Sequence, residues 1–148
     1  MKKYIILIFG LPGSGKSTLA KELAYHFCLP HYNADTLREF HDDWDFSEDG
    51  RHRQLKRMKE FNLGIVDFVC PFEKYRNDLN PTFSIYMDTI KKGRYEDTNK
   101  AFEKPKQFDI RITQWIGQNQ LRNSLVDFNP GTKGIQSYLN GPFQKLVK

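Results

Sequence analysis

Gly10-Leu11-Pro12-Gly13-Ser14-Gly15-Lys16-Ser17, followed by Thr18, decides the fold. The spacing is G-x-x-x-x-G-K-[ST], that of a phosphate-binding loop. Tyr4 to Phe9, just before it, is an unbroken apolar and aromatic run, as a strand buried on both faces requires. Ser17 to Ala24, just after it, reads as a helix leaving the loop. Glycines let backbone N–H groups turn inward around phosphate oxygens without a Cβ in the way. The helix N-terminus adds its partial positive charge to that nest. On this reading Gly10, Pro12, Gly13, Ser14, Gly15, Lys16, Ser17 and Thr18 hold the phosphates of ATP. Lys16 reaches the β- and γ-phosphates, and the Ser17 hydroxyl ligates Mg²⁺. The competing account is a Gly-rich turn that binds no nucleotide.

The bulk of the chain agrees with a single α/β domain spanning 1–148. It has 148 residues, 39% hydrophobic and 28% charged, enough to bury a core. A net charge of +5 points to polyanions, either nucleic acid or small molecules. No run of five basic residues occurs and acids are interspersed throughout, which favours a small anionic partner over nucleic acid. Cys28 and Cys70 have neither metal-ligand nor C-x-x-C spacing, so reduced thiols and a cytoplasmic setting are expected. The N-terminal apolar run enters the phosphate loop with no small-residue cleavage site, unlike a signal peptide. No stretch is long and apolar enough to span a membrane.

Further along, Leu29-Pro30 ends the first helix and His31-Tyr32-Asn33 forms a short second strand. Asp35 then stands at a strand's carboxyl end with Arg38 one turn on, where open α/β sheets gather their ligands. The alternative is a helix-capping Asp beside a surface Arg. Asp42, Asp43 and Asp45 lack the glycine and closing Glu of a calcium loop, which argues against a metal there. A helix is expected from Ser47, as its cap, to about Asn62, with Leu55, Met58 and Phe61 inward. Its Arg51 and Gln54 either face a bound anion or belong to a solvated face. Gly64 to Cys70 reads as a third strand stopped by Pro71, with Cys70 a buried inert thiol rather than a reactive one. Phe72 to Leu79 reads as helix, Thr82 to Asp88 as a fourth strand, and Asp109 to Thr113 as a fifth. The polar segment from Thr89 to Pro105 is either a mobile basic cover over the phosphates or an exposed helix and loop. Trp115 to Phe128 and Gly134 to Val147 suggest helices, so the segment from about 114 onward is expected to be helical.

Taken in order, these pieces resemble the adenylylsulfate (APS) kinase family of P-loop phosphotransferases. Gly10 to Thr18 is similar to that family's G-x-x-G-S-G-K-S-T, and Asn33-Ala34-Asp35-Thr36-Leu37-Arg38 to its D-G-D-N-x-R, with Asn33 replacing the first acid. Phe46 to Arg51 resembles F-S-E-E-D-R with Gly50 departing, and Gln54 stands where the family has Asn. Phe68 to Phe72 resembles F-I-S-P-Y with Cys70 in place of Ser. Tyr86-Met87-Asp88-Thr89 resembles V-Y-V-D-T, and Phe102 to Pro105 is similar to Y-E-x-P. The resemblance covers residues 4 to 113, and the family's longer segment after D-T is cut here to a dozen residues.

It implies a three-layer P-loop NTPase/kinase fold with a mostly parallel five-stranded sheet flanked by helices. It also implies transfer of the γ-phosphoryl group of Mg·ATP to the 3′-hydroxyl of adenylyl sulfate. Lys16 and Asp35 would be catalytic, Asp35 activating the acceptor hydroxyl. Arg38, Phe46, Arg51, Gln54, Val69, Cys70 and Pro71 would hold the acceptor, Phe46 by stacking on adenine. Asp97 to Lys100 stands in for the family's D-x-K, which puts Lys100 on the acceptor and Arg94 over ATP. A homodimer is allowed. Two other readings stay open: a nucleoside, nucleotide or polynucleotide-end kinase on the same core, and a nucleotide-binding regulatory module without transfer.

Overall fold

The computed structural model describes residues 3–114 and the backbone of 126–128. β1 (Tyr4–Gly10) lies at the centre of the sheet, with β3 (Leu63–Asp67) on one side and β4 (Phe83–Met87) on the other. Its continuous apolar composition follows from that position, because both of its faces are covered. Ile6 and Ile8 point into a layer with Leu19, Leu23 and Phe27 of α1 (Lys16–Phe27). Ile5, Leu7 and Phe9 alternate to the opposite face. There they meet Leu55 and Met58 of α3 (Glu48–Lys59) and Tyr75 and Leu79 of α4 (Glu73–Leu79). Helices thus cover both faces of the sheet, giving three layers.

The strand order is β2-β3-β1-β4-β5-β6, where β2 is His31–Asn33, β5 Ile110–Ile112 and β6 Val126–Phe128. The first five run parallel, as expected, and β6 adds an antiparallel edge against β5. Val126 to Phe128 is therefore strand, which corrects the helix expected from Trp115 to Phe128. The edge of β5 offers unpaired backbone groups, and an extended Val-Asp-Phe segment satisfies them. The helix expected over Gly134 to Val147 lies outside the described residues.

Parallel pairing brings the strand ends together: Asn33 is in register with Asp67, and Gly10 with Met87. β3 ends at Asp67, earlier than the run to Cys70 suggests. Cys70 adopts a left-handed conformation with φ 45°. Buried Arg76 donates to the carbonyls of Cys70 at 2.9 Å, Pro71 at 3.1 Å and Glu103 at 2.7 Å, which satisfies these groups beyond the end of the strand. α2 (Ala34–His41) follows β2 directly, and α5 (Glu96–Ala101) lies in the polar segment after β4. Among the described residues, no helix is long and apolar enough to cross a membrane.

Candidate active site

The phosphate loop bridges β1 and α1. Gly15 caps α1 at φ 100°, a left-handed conformation that costs a residue with a Cβ and costs glycine little. Lys16 is 9% exposed, and its Nζ donates to the Leu11 carbonyl at 2.9 Å. Burial lowers its pKa, while the charges of Asp67 and Asp35 pull it back up and Arg94 pushes it down. Thr89 Oγ1 donates to the Ser14 carbonyl at 2.6 Å, tying the loop to the end of β4. The Ser14 hydroxyl is buried with no partner among the described residues. An orphaned donor, a buried lysine and a glycine-built helix start together fit the triphosphate of ATP.

Beneath the loop lies a knot of polar groups. Ser17 Oγ donates to Asp67 Oδ2 at 2.6 Å. Asn33 Nδ2 donates both to Asp67 Oδ2 at 2.8 Å and to Ser17 Oγ at 3.0 Å. His31 Nε2 lies 3.2 Å from the same Oδ2. Asn33 uses its other amide atom to cap α2, accepting from Thr36 N at 2.9 Å. Burial pushes the Asp67 carboxyl up. The hydrogen bonds from His31, Ser17 and Asn33, with the charge of Lys16, outweigh that and hold it below the usual carboxylate range. In the sequence, Asp67 and His31 read only as strand residues. The available signal was an acid closing an otherwise apolar parallel strand.

A cavity of about 670 Å³ runs from this loop to the segment between α2 and α3. Pro12, Gly13, Gly15, Lys16, Ser17 and Thr18 line one end, and Asp35, Arg38, Phe46 and Arg51 the other. Asp35 is exposed in the first turn of α2, whose cap is Asn33 and not Asp35. Arg38 is 4% exposed, so it is no surface residue. It donates to the carbonyls of Asp43 at 2.9 Å and Asp45 at 3.1 Å, and its guanidinium sits 4.3 Å from the centre of the Phe46 ring. Arg51 Nε donates to the Phe46 carbonyl at 2.8 Å. Asp43 is paired with Arg53 at 3.1 Å and Arg57 at 2.7 Å, and Asp45 with Arg53 at 2.9 Å, so these acids brace the loop. Gly50 explains its departure from the family pattern: a Cβ there would overlap the Asp45 carbonyl, which lies against the start of α3.

Val69, Pro71 and Arg94 also face the cavity, as do Trp44 and Tyr95, which motif reading did not single out. Trp44, Phe46 and Tyr95 are 51%, 45% and 54% exposed, and so present aromatic surface to an incoming ligand. Several expected positions do not line it. Gln54 is fully buried, donating to the Ala34 carbonyl at 2.7 Å and accepting from Arg57 at 3.1 Å. Cys70 is fully buried, and burial pushes its thiol up to about 12. Lys100 is exposed on α5, and Gly10 ends β1 beside Met87. Among the described residues, no group of three or more metal-ligating side chains occurs. A P-loop Mg²⁺ does not need one, since phosphates and water complete its shell.

No protein-family model matches the chain, and no curated protein matches its sequence. Solved structures match in fold. The APS kinase of Mycobacterium tuberculosis in complex with AMPPNP and APS is 19% identical, with a TM-score of 0.59 over 78% of this chain and 91% of that one. A gluconokinase from Sinorhizobium meliloti 1021 is 15% identical, with a TM-score of 0.57 over 78% and 85%. The shikimate kinase of Aquifex aeolicus is 18% identical, with a TM-score of 0.50 over 65% and 73%. The chain has the fold of the P-loop small-molecule kinases.

Proposed function

We propose that the chain is a Mg·ATP-dependent kinase that phosphorylates a hydroxyl of a small anionic acceptor, with adenylyl sulfate the favoured one. The observation that carries this is the single cavity with a phosphate loop at one end and Asp35, Arg38, Phe46 and Arg51 at the other. Loop N–H groups and Lys16 hold the triphosphate and spread the charge that develops on the transferred group. Mg²⁺ held at the Ser17 hydroxyl would supply further charge neutralisation on the triphosphate. Asp35 lies close enough to raise the Lys16 pKa, and it orients the acceptor hydroxyl or accepts its proton. Arg51, near the Phe46 ring, meets the acceptor's anionic group. Trp44, Phe46 and Tyr95 favour an acceptor that carries an aromatic base over an aliphatic polyol such as gluconate or shikimate.

A coupled ADP-release assay tests this with ATP and adenylyl sulfate, gluconate, shikimate or a 5′-hydroxyl oligonucleotide as acceptor. Turnover with adenylyl sulfate well above the others is expected. Turnover with a different acceptor alone removes the substrate assignment while keeping the kinase, and intact ATP binding with no turnover on any acceptor removes both.

A further inference from the structure

We propose that Asn99 is a positioning residue for the nucleotide: by gripping both backbone polar groups of Gly93, it holds Arg94 at the phosphate loop. The inference rests on the kinase reading above, with Arg94 as a contact to the triphosphate. Gly93 N donates to Asn99 Oδ1 at 2.8 Å, and Asn99 Nδ2 donates to the Gly93 carbonyl at 2.9 Å. A primary amide accepts and donates side by side, which an ionised carboxylate cannot do. The pair closes residues 93–99 into a ring, and Arg94, Tyr95, Asp97 and Thr98 within it line the cavity. Gly93 in turn sits on the phosphate loop. A Cβ there would come within 3.1 Å of the Pro12 carbonyl and 3.3 Å of Asn99 Oδ1. Contact therefore runs from Asn99 through Gly93 to Pro12.

The ends of the segment are anchored separately, Thr89 Oγ1 on the Ser14 carbonyl at 2.6 Å and Glu103 N on the Pro71 carbonyl at 2.8 Å. Between those anchors α5 has six residues, and its cap Tyr95 makes no side-chain hydrogen bond. So short a helix is not stable by itself. Asp97 reaches Arg51 only at 3.9 Å and is 70% exposed, an ion pair that contributes little in water. The Asn99 clamp is the stronger hold. It also has a repulsion to oppose, since Arg94 lies near enough to Lys16 for its charge to lower the lysine's pKa. A triphosphate between the two cations relieves that repulsion, and a backbone already fixed loses less freedom when it binds.

The test is a double-mutant cycle, read as the calorimetric affinity of the full chain for a non-hydrolysable ATP analogue with Mg²⁺. Arg94→Ala is expected to weaken binding about 10- to 100-fold, the loss of a charged hydrogen bond to phosphate. Asn99→Ala is expected to weaken it about 10-fold through the two lost hydrogen bonds to Gly93. Because Asn99 acts through Arg94, the double variant should bind no more weakly than Arg94→Ala alone. A general structural role would add its loss to that of Arg94→Ala, so additive losses overturn the proposal. Unchanged affinity in either single variant overturns it too. Should Asn99→Ala not fold, Asn99→Asp takes its place in the cycle, since it keeps the bond from Gly93 N and loses the one to the Gly93 carbonyl. Failure of the unmodified protein to bind the analogue overturns the kinase reading itself, and the proposal with it.

Discussion

Lys16 and Asp35 divide the work at the two ends of the cavity, so their variants should separate binding from transfer. Lys16→Ala is expected to cut phosphoryl transfer at least about 100-fold by removing charge at the transferred group. Asp35→Asn should lower transfer by about 10² to 10⁴ while leaving nucleotide affinity in calorimetry nearly unchanged. Transfer that survives Asp35→Asn would remove Asp35 from the chemistry. The two cysteines should behave oppositely. Cys28 is exposed, whereas the Cys70 thiol is buried and pushed up to about 12. Alkylation of the native protein at pH 8 should therefore modify Cys28 alone, as read by peptide mass spectrometry. The phosphate loop was legible because its chemistry lies in eight consecutive residues. Asp67 was not, since Asn33 and His31 meet it only through the pairing of β2 with β3, and Ser17 only through the packing of α1.

The loop from Asp42 to Ser47 and the start of α3 form one braced unit that holds Phe46. Gly50 permits it, and Gly50→Asp, which installs the residue of the family pattern, should push the Asp45 backbone off α3. Acceptor KM is then expected to rise several-fold with ATP affinity intact. Hydrogen bonds from Arg53 and Arg57 hold the Asp43 carboxyl well below its usual range, and those from Ser47 and Arg53 hold Asp45 at about 2. A carboxyl depressed in the folded state stabilises fully above its unfolded value of about 3.9, and loses that contribution as pH falls through the folded value. The stabilisation is thus full from about pH 5 upward, declines below about pH 4, and is gone for Asp45 only once pH falls through about 2, where its carboxyl in the folded brace takes up a proton. Asp43→Asn should show a shallower acid limb in urea midpoints, with lower stability at pH 7. Ser47 as a cap was legible locally, while the brace was not, because Asp43 and Arg57 lie a loop and two helical turns apart.

At the scale of the molecule, the parallel strands bring their carboxyl ends to one side of the sheet, at Gly10, Asn33, Asp67 and Met87, and the phosphate loop and the cavity lie on that side. β1 carries both cores, so Leu55→Ala or Leu19→Ala on either side should cost about 2–5 kcal/mol in denaturant unfolding. Apolar runs and the β-α alternation made the five parallel strands readable in advance. The sixth was hidden, because Val126 to Phe128 is a short segment whose state is set by the open edge of β5 and not by its own pattern. Everything above depends on phosphoryl transfer between the two ends of one cavity. The label from [γ-³²P]ATP can be followed with adenylyl sulfate present, in the unmodified protein and in Lys16→Ala. Mg²⁺-dependent label on the acceptor's 3′-hydroxyl, lost in the variant, is expected. Label that stays on ATP in a protein that demonstrably binds it would rule transfer out.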